Sequence, residues 1–360
     1  MSRILVNKSH RRGAVAALFA LLLIPMLGLV ALAVDYGYLL TLRNDLQRTA
    51  DHAALAAVQD LVPDDDGEQN LAAVRATLRH YVEQNAGAEF KVQDSDIEIG
   101  RYDPDTIYSS VTLLNDGIAD TVRVTLRRDD VANASVSLFF ARLLGIDEAD
   151  LRVTATAVLQ KGRFLEPGVG VLPIAISENS WDSLSQDELW RIYSDGKIRN
   201  DNNQPIPGNW GTVDIGNGNN STKDLRDQIE NGLRQRDLDA MADDNVIPSN
   251  DHIDSDRPMW VEGDTGLSSG MKHAVENVIG TTKLVPIYNQ TNNGNGNNSG
   301  FRVTGWAVVK VMDSHFAGSK NTYIEVQKSY TYDRNLTPSN DLSNTSSTIE
   351  GAYTTPALIQ

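Results

Sequence analysis

The stretch GAVAALFALLLIPMLGLVALAV, residues 13–34, holds 22 residues and no charged side chain. Coiled as an α-helix at about 1.5 Å per residue it reaches roughly 33 Å, enough to cross a hydrocarbon core of about 30 Å. Gly13, Phe19, Pro25, Gly28 and Val34 mark this anchor from end to end. Pro25 and Gly28 are compatible with it, because neighbouring groups re-satisfy the carbonyls freed inside a membrane helix. Arg3, Lys8, Arg11 and Arg12 crowd the N-terminal flank, whereas the C-terminal flank opens on Asp35. By the positive-inside rule, residues 1–12 stay in the cytoplasm and the chain after residue 34 is exported. The alternative is a cleaved secretory signal, since Ala31-Leu32-Ala33 has the small-residue form of a cleavage site. The run is longer than the apolar region of about 7 to 15 residues usual there. The sequence after it also continues as a helix, so an uncleaved anchor is the preferred reading.

Residues 35–62 carry helical periodicity. Leu39, Leu42, Leu46, Ala50, Ala53 and Ala57 step by three and four, which puts them on one packing face. Arg43, Asp45, Gln47, Arg48, Asp51 and His52 lie largely off it. The seam changes from Leu to Ala away from the anchor, so a packing partner can approach closely there. That partner is either the chain's own next domain or a helix of another protein. Pro63, Asp64, Asp65, Asp66 and Gly67 predict the end of the helix and a solvated hinge.

The totals bound the rest. A chain of 360 residues allows an anchor and two modest domains. A net charge of −16 repels nucleic acid and sets that class of partner aside. Cysteine is absent, which excludes a disulfide framework, thiol chemistry and cysteine-ligated metal. The later apolar runs, 169–176 and 306–312, are too short to span a membrane and read as buried strands.

Arg12-Gly13-Ala14-Val15-Ala16, the apolar span, Ala33-Val34-Asp35-Tyr36-Gly37 and the run Asp45-Leu46-Gln47-Arg48-Thr49-Ala50-Asp51-His52-Ala53-Ala54-Leu55-Ala56-Ala57 form one pattern. It resembles the N-terminal segment of TadG-like proteins of the tight-adherence (Flp) pilus assembly systems of bacteria. The resemblance implies an inner-membrane, periplasm-facing accessory protein, with other pilus-assembly or secretion proteins as partners. Related pseudopilins carry a Glu five residues after the Gly, where a prepilin peptidase cuts. Leu18 stands at that position here, which argues against processing and against a pilin subunit.

Residues 67–162 read as a small α+β domain. Leu71, Val74, Leu78 and Val82 mark a helix face, with Gly87 as its stop. Strands are predicted within 91–102, over 121–126 and over 151–159, and a helix over 135–144. Arg127-Arg128 beside Asp129-Asp130 reads as a solvated strand end. Residues 163–335 form a second α+β domain holding all five tryptophans, of which Trp210, Trp260 and Trp306 read as core. Here the sequence predicts helices over 185–194, from Ser221 or Thr222, and from Ser268 or Ser269 to Gly280. Strands are expected at 210–215, 283–288, 301–312 and 322–332, with Pro286 holding its strand at an edge or end. Residues 336–360, rich in Ser, Thr and Asn, are expected to form a flexible tail.

Motifs for chemistry are weak. Gly266-Leu267-Ser268-Ser269-Gly270 has the form of a nucleophile elbow, and His273, His315 and Asp313 complete a triad on paper. The elbow needs a strand running directly into the turn, but Glu262-Gly263-Asp264-Thr265 has loop composition, so a helix N-cap loop is preferred. His10, His52, His80, His252, His273 and His315 include no pair at the i, i+4 spacing of a helical metal site. The acidic groups Asp64-Asp65-Asp66 and Asp251, Asp254 and Asp256 lack the frame of a calcium loop. Asp341-Leu342-Ser343-Asn344-Thr345 has the D-x-S-x-T form of a metal-dependent adhesion site, but no buried strand leads into it. The von Willebrand A-type adhesion domain of longer TadG-like members is therefore expected to be absent.

The expectation is a non-enzymatic, single-pass scaffold protein in the bacterial inner membrane. Its partners would be the lipid bilayer and other assembly proteins, with no cofactor, metal or small-molecule substrate. The alternatives are a membrane-tethered serine hydrolase using Ser268, and a minor pilus or surface subunit.

Overall fold

The computed structural model describes the chain outside residues 1–10, 103–116, 201–209, 214, 217–220, 244–258, 265–266, 268, 293–298, 339–348 and 360. The uncharged run and the periodic run after it form one helix, α1 (Arg11–Ala57), which continues through Pro25. A 3-10 turn, Val58–Leu61, ends it before Pro63. The chain divides into two compact units. One holds Met1–Ala54, Ala76–Glu98 and Arg123–Thr156, the other Leu55–Arg75, Ile99–Val122 and Ala157–Gln360.

In the first unit, the character of α1 changes along its length. Leu18, Phe19, Leu21, Met26, Leu29 and Val34 are all exposed. Further on, Leu46, Ala50, Ala53 and Ala54 are buried. Helix α2 (Leu71–Ala86) buries Val74, Leu78 and Val82 along one stripe. The Asn70 side chain caps its start by accepting the Ala73 N–H at 3.0 Å, and Gly87, at φ +100°, turns the chain out of it.

Strands β1 (Ile97–Gly100), β2 (Thr121–Arg128) and β5 (Leu151–Leu165) lie side by side in that order. Between the last two, β3 (Val136–Ser137) and β4 (Glu148–Ala149) make a separate antiparallel pair. The alternation of 121–126 is realised with Val122, Val124 and Leu126 buried.

Two expectations fail here. Residues 135–144 are not an α-helix: after β3 only a 3-10 turn, Ala141–Leu144, forms. Asn133 and Ala134 swing the chain at positive φ (64° and 53°) just before it. The N–H groups of Phe139, Phe140 and Ala141 then bond to a distant carboxylate rather than to the preceding turn. Nor is the 127–130 charge cluster solvated. Asp129 is buried and its Oδ1 accepts the N–H groups of Val131 and Ala132, each at 3.0 Å. Arg127 pairs with buried Asp96 at 3.1 Å.

The second unit is built on an eight-stranded sheet. Its strands are β6 (Ile174–Ser177), β7 (Trp190–Tyr193), β8 (Ile198–Asn200), β9 (Trp210–Val213), β10 (Met259–Asp264), β11 (Thr282–Thr291), β12 (Ser299–His315) and β13 (Tyr323–Lys328). Their order is β10-β9-β6-β11-β12-β13-β7-β8, and β10 also pairs with β12. Strands β10, β9, β6, β11 and β12 therefore close on themselves as a small barrel, which leaves none of their shared edges unpaired. The long β12 makes this possible. Near Phe301 it pairs with β10, and from Val309 onward the same side pairs with β13.

Inside, the Phe301 ring packs edge-on to Tyr288 with centroids 5.0 Å apart. It fills the space that a side chain at Gly211 or Gly263 would need; a Cβ at Gly263 would lie 2.8 Å from its Cε2. One core cluster gathers Val171, Val213, Val261, Phe301, Val303 and Trp306. Another gathers Ile176, Trp190, Ile192, Ile229, Val275 and Val309. Helix α3 (Glu178–Asp182), α4 (Thr222–Asn231), α5 (Gln235–Asp243) and α6 (Lys272–Asn277) complete this unit. The cap at Ser221 is as expected: its Oγ accepts the Asp224 N–H at 3.2 Å, and Leu225, Ile229 and Leu233 are buried.

Four readings are corrected in this unit. Residues 185–194 hold β7 rather than a helix, because Trp190 and Ile192 alternate inward and pair with Val326 and Ile324 of β13. Pro286 lies inside the sheet, opposite Trp306 of β12. On its other side the ladder to β6 begins only at Ile287, so no hydrogen bond is asked of the missing N–H. Residues 63–67 are not a free solvated hinge. The Asp65 carboxylate pairs with Lys310 and accepts the Ser329 hydroxyl at 2.8 Å. The end of the chain is not a loose tail either. β14 (Thr331–Tyr332), β15 (Leu336–Pro338) and β16 (Ala352–Ile359) join the six-stranded sheet β1-β2-β5-β16-β14, with β15 paired to β5.

Candidate functional site

Asp35 is the residue directly after the uncharged run, and it is buried, with 2% of its surface exposed. Oδ1 accepts the Phe139 N–H at 2.9 Å; Oδ2 accepts those of Phe140 at 2.9 Å and Ala141 at 2.7 Å. One carboxylate thus satisfies three consecutive backbone donors at the start of the 3-10 turn, as a capping side chain does at a helix N-terminus. Burial alone would raise the Asp35 carboxyl pKa. The three N–H donors and the nearby Arg142 charge outweigh it and hold the group below its ordinary value. The Phe139 ring packs edge-on against Tyr38, one turn along α1, at 5.2 Å between centroids.

Farther along α1, Leu39 and Leu42 are partly exposed, Leu46 is buried, and Ala50, Ala53 and Ala57 have no exposed surface. Gln47 lies beside this seam and donates to Asp51 at 2.8 Å and to the Thr154 carbonyl at 3.1 Å. A cleft of about 390 Å³ opens next to Leu46, lined also by Leu42, Thr49, Asn85, Phe90 and Arg128. The Asn133 side chain closes one wall. It accepts the Lys91 N–H at 2.7 Å and donates to the Lys91 carbonyl at 2.9 Å.

The anchor residues Gly13, Phe19, Pro25, Gly28 and Val34 all lie in α1. Among the described residues, α1 is the one helix long and apolar enough to cross a membrane. Of the tryptophans read as core, Trp306 is buried, whereas Trp260 is 49% exposed. Trp260 belongs to β10, and its register partner across the ladder, Arg302, sits on the same outer face. The side chain of Trp210 lies outside the described residues.

Gly266 and Ser268 of the elbow motif, the aspartates at 251, 254 and 256, and the 341–345 motif also lie outside the described residues. His273 contacts Glu276 at 3.2 Å on the surface of α6, and His315 stacks on Tyr323 at 5.6 Å. Among the described residues, no group of three or more His, Asp or Glu side chains is placed to hold a metal.

Sequence reasoning missed the role of Asp35, which it treated only as a flanking charge. The legible signal was a lone carboxylate at the first position after an uncharged helix. Its bonding partners, more than a hundred residues away, carried no local signal.

The fold and this site define a mixed α+β protein carried on one long apolar N-terminal helix. Residues 13–60 match the TadE/G-like Flp pilus-assembly family, and residues 56–157 match the Tad-like Flp pilus-assembly family. Over residues 13–157 the chain is similar to TadG-like pilus-assembly proteins, which supports a role in pilus assembly and fits membrane association. No curated protein and no solved structure matches the chain.

Proposed function

We propose that the protein is a non-enzymatic, single-pass accessory scaffold of a Flp pilus or related secretion apparatus. Residues 13–34 sit in the bacterial inner membrane, the N-terminus is cytoplasmic, and the units after α1 face the periplasm. The observation that supports this best is the division of labour within α1. Its first part is an uncharged rod with exposed apolar side chains, and its second buries an alanine face in the chain's own fold. Such a helix fixes the first unit at a set height above the bilayer, and the exported chain presents surfaces to other assembly proteins.

Fractionation of the native host with protease protection, followed by co-purification, tests the proposal. The expected result is a membrane-bound chain, shielded from protease in intact cells and digested once the outer membrane is opened, that co-purifies with pilus-assembly components. Recovery of a soluble chain trimmed within residues 31–34 would overturn it. So would a hydrolytic activity that Ser268→Ala abolishes without unfolding the protein.

A further inference from the structure

The hairpin tip joining β3 to β4 is rigid and oily. Leu138 donates its N–H to the Asp147 carbonyl at 2.9 Å, Ile146 to Ala141 at 3.1 Å, and Gly145, at φ +83°, to Arg142 at 3.1 Å. While Leu138 and Ala141 are buried beneath it, Leu143 is 82% exposed, Leu144 77% and Phe139 58%, with Phe140 and Ile146 exposed as well. Five large apolar side chains within eight residues of a soluble surface mark an interaction site.

The position of the tip says what covers it. Asp35 ties the tip to the first residue after the anchor, one helical rise of about 1.5 Å beyond Val34. Side chains of a helix lean toward its N-terminus, so Asp35 and Tyr38 reach back toward the anchor. They hold the Phe139–Ala141 backbone and the Phe139 ring there.

Resting on the reading of residues 13–34 as a membrane span, we propose that residues 139–146 are a second membrane contact. In it, Phe139, Phe140, Leu143, Leu144 and Ile146 enter the interface of the outward-facing leaflet beside the anchor. The occupant is the lipid bilayer itself. Exposed Tyr36 and half-buried Tyr38 lie at the depth where interfacial aromatics gather, and Arg142 on the tip is placed to reach lipid phosphates. An interfacial segment of this kind sinks about 5–10 Å, shallower than the span. Two contacts instead of one stop the first unit from swivelling about a single helix.

The chain has no cysteine, so single-cysteine reporters are unambiguous. Leu144→Cys and Phe19→Cys, both at exposed positions, would each be labelled with an environment-sensitive fluorophore in the full chain. Each would be reconstituted in phosphatidylcholine nanodiscs containing nitroxide lipids. The expected result is quenching of both labels, by deep nitroxides at position 19 and by shallow ones at 144, with a blue-shifted emission at 144. Quenching at 19 with a water-like, unquenched label at 144 overturns the second contact and leaves the anchor standing. That outcome would also be the signature of a tip reserved for a protein partner. Absence of quenching at both positions sinks the anchor reading and this inference with it.

Discussion

Phe301 and Asp35 each hold together residues far apart in sequence, by opposite physics. In the second unit, the Phe301 ring lies in a recess left by Gly211 and Gly263 and closes a five-stranded barrel by packing. In the first, the Asp35 carboxylate gathers three backbone N–H groups and fixes a loop by hydrogen bonds. Packing of an aromatic ring contributes through area and shape, and its loss leaves a cavity. A carboxylate clasp contributes through charge-assisted bonds and depends on pH. The difference shows where each unit is vulnerable: one to volume changes in its core, the other to protonation and to the loss of a single polar group.

The largest expected effect comes from emptying the barrel. Phe301→Ala should cost about 3–5 kcal/mol in denaturant unfolding, the usual range for a buried Phe. Gly211→Ala, which pushes a methyl group into the same ring, should cost about 1–3 kcal/mol. A loss for Phe301→Ala no larger than that of a surface substitution would break the contrast between the units.

A smaller, local effect is expected at the clasp. Asp35→Asn keeps the shape but replaces one of the two accepting oxygens with a donor that faces N–H groups. Hydrogen exchange of Phe139, Phe140 and Ala141 should accelerate while the barrel strands stay protected. Because the folded Asp35 titrates below the ordinary carboxylate value of 3.8, its contribution is complete above that pH and is lost as pH falls through the lower folded value. The difference in Tm between the native chain and Asp35→Asn should therefore hold from neutral pH down to mild acid and shrink below pH 3.8. A difference that grows on acidification would contradict the clasp.

The smallest effect sharpens the picture of the first unit's turn. Ala134 adopts φ +53°, a conformation that costs a residue with a Cβ about 1 kcal/mol or more. Ala134→Gly removes that strain but loosens the unfolded chain, which offsets part of the gain. Thermal unfolding should show a stabilisation of less than about 1 kcal/mol. A clear destabilisation would mean that the methyl group makes a packing contact instead.

Legibility in the sequence followed the range of the interactions. The uncharged run, the step of three and four that buries Ala50, Ala53 and Ala57, the Ser221 cap and the alternation of β2 were all readable, because each depends on neighbours a few residues away. The helix read over 135–144 failed because its first donors were claimed by Asp35, 104 to 106 residues earlier. The loose tail read over 336–360 failed because its Ser- and Thr-rich composition says nothing of the edges of β5 and β14 that wait for it. Pro286 was placed at an edge by a rule that counts hydrogen bonds on both sides of a strand, whereas its own N–H position faces a gap.

The amino-acid sequence by itself determined the apolar rod, the alanine face that follows it and the acidic, cysteine-free character of the rest. Those depend on composition and on periodicity along one segment. Only the tertiary structure decided that five strands close into a barrel, that the C-terminal strand completes a sheet begun near residue 97, and that Asp35 holds an oily loop against the end of the rod. Each of these pairs groups scores to hundreds of residues apart, and the free energy that selects them exists only once both partners are in place.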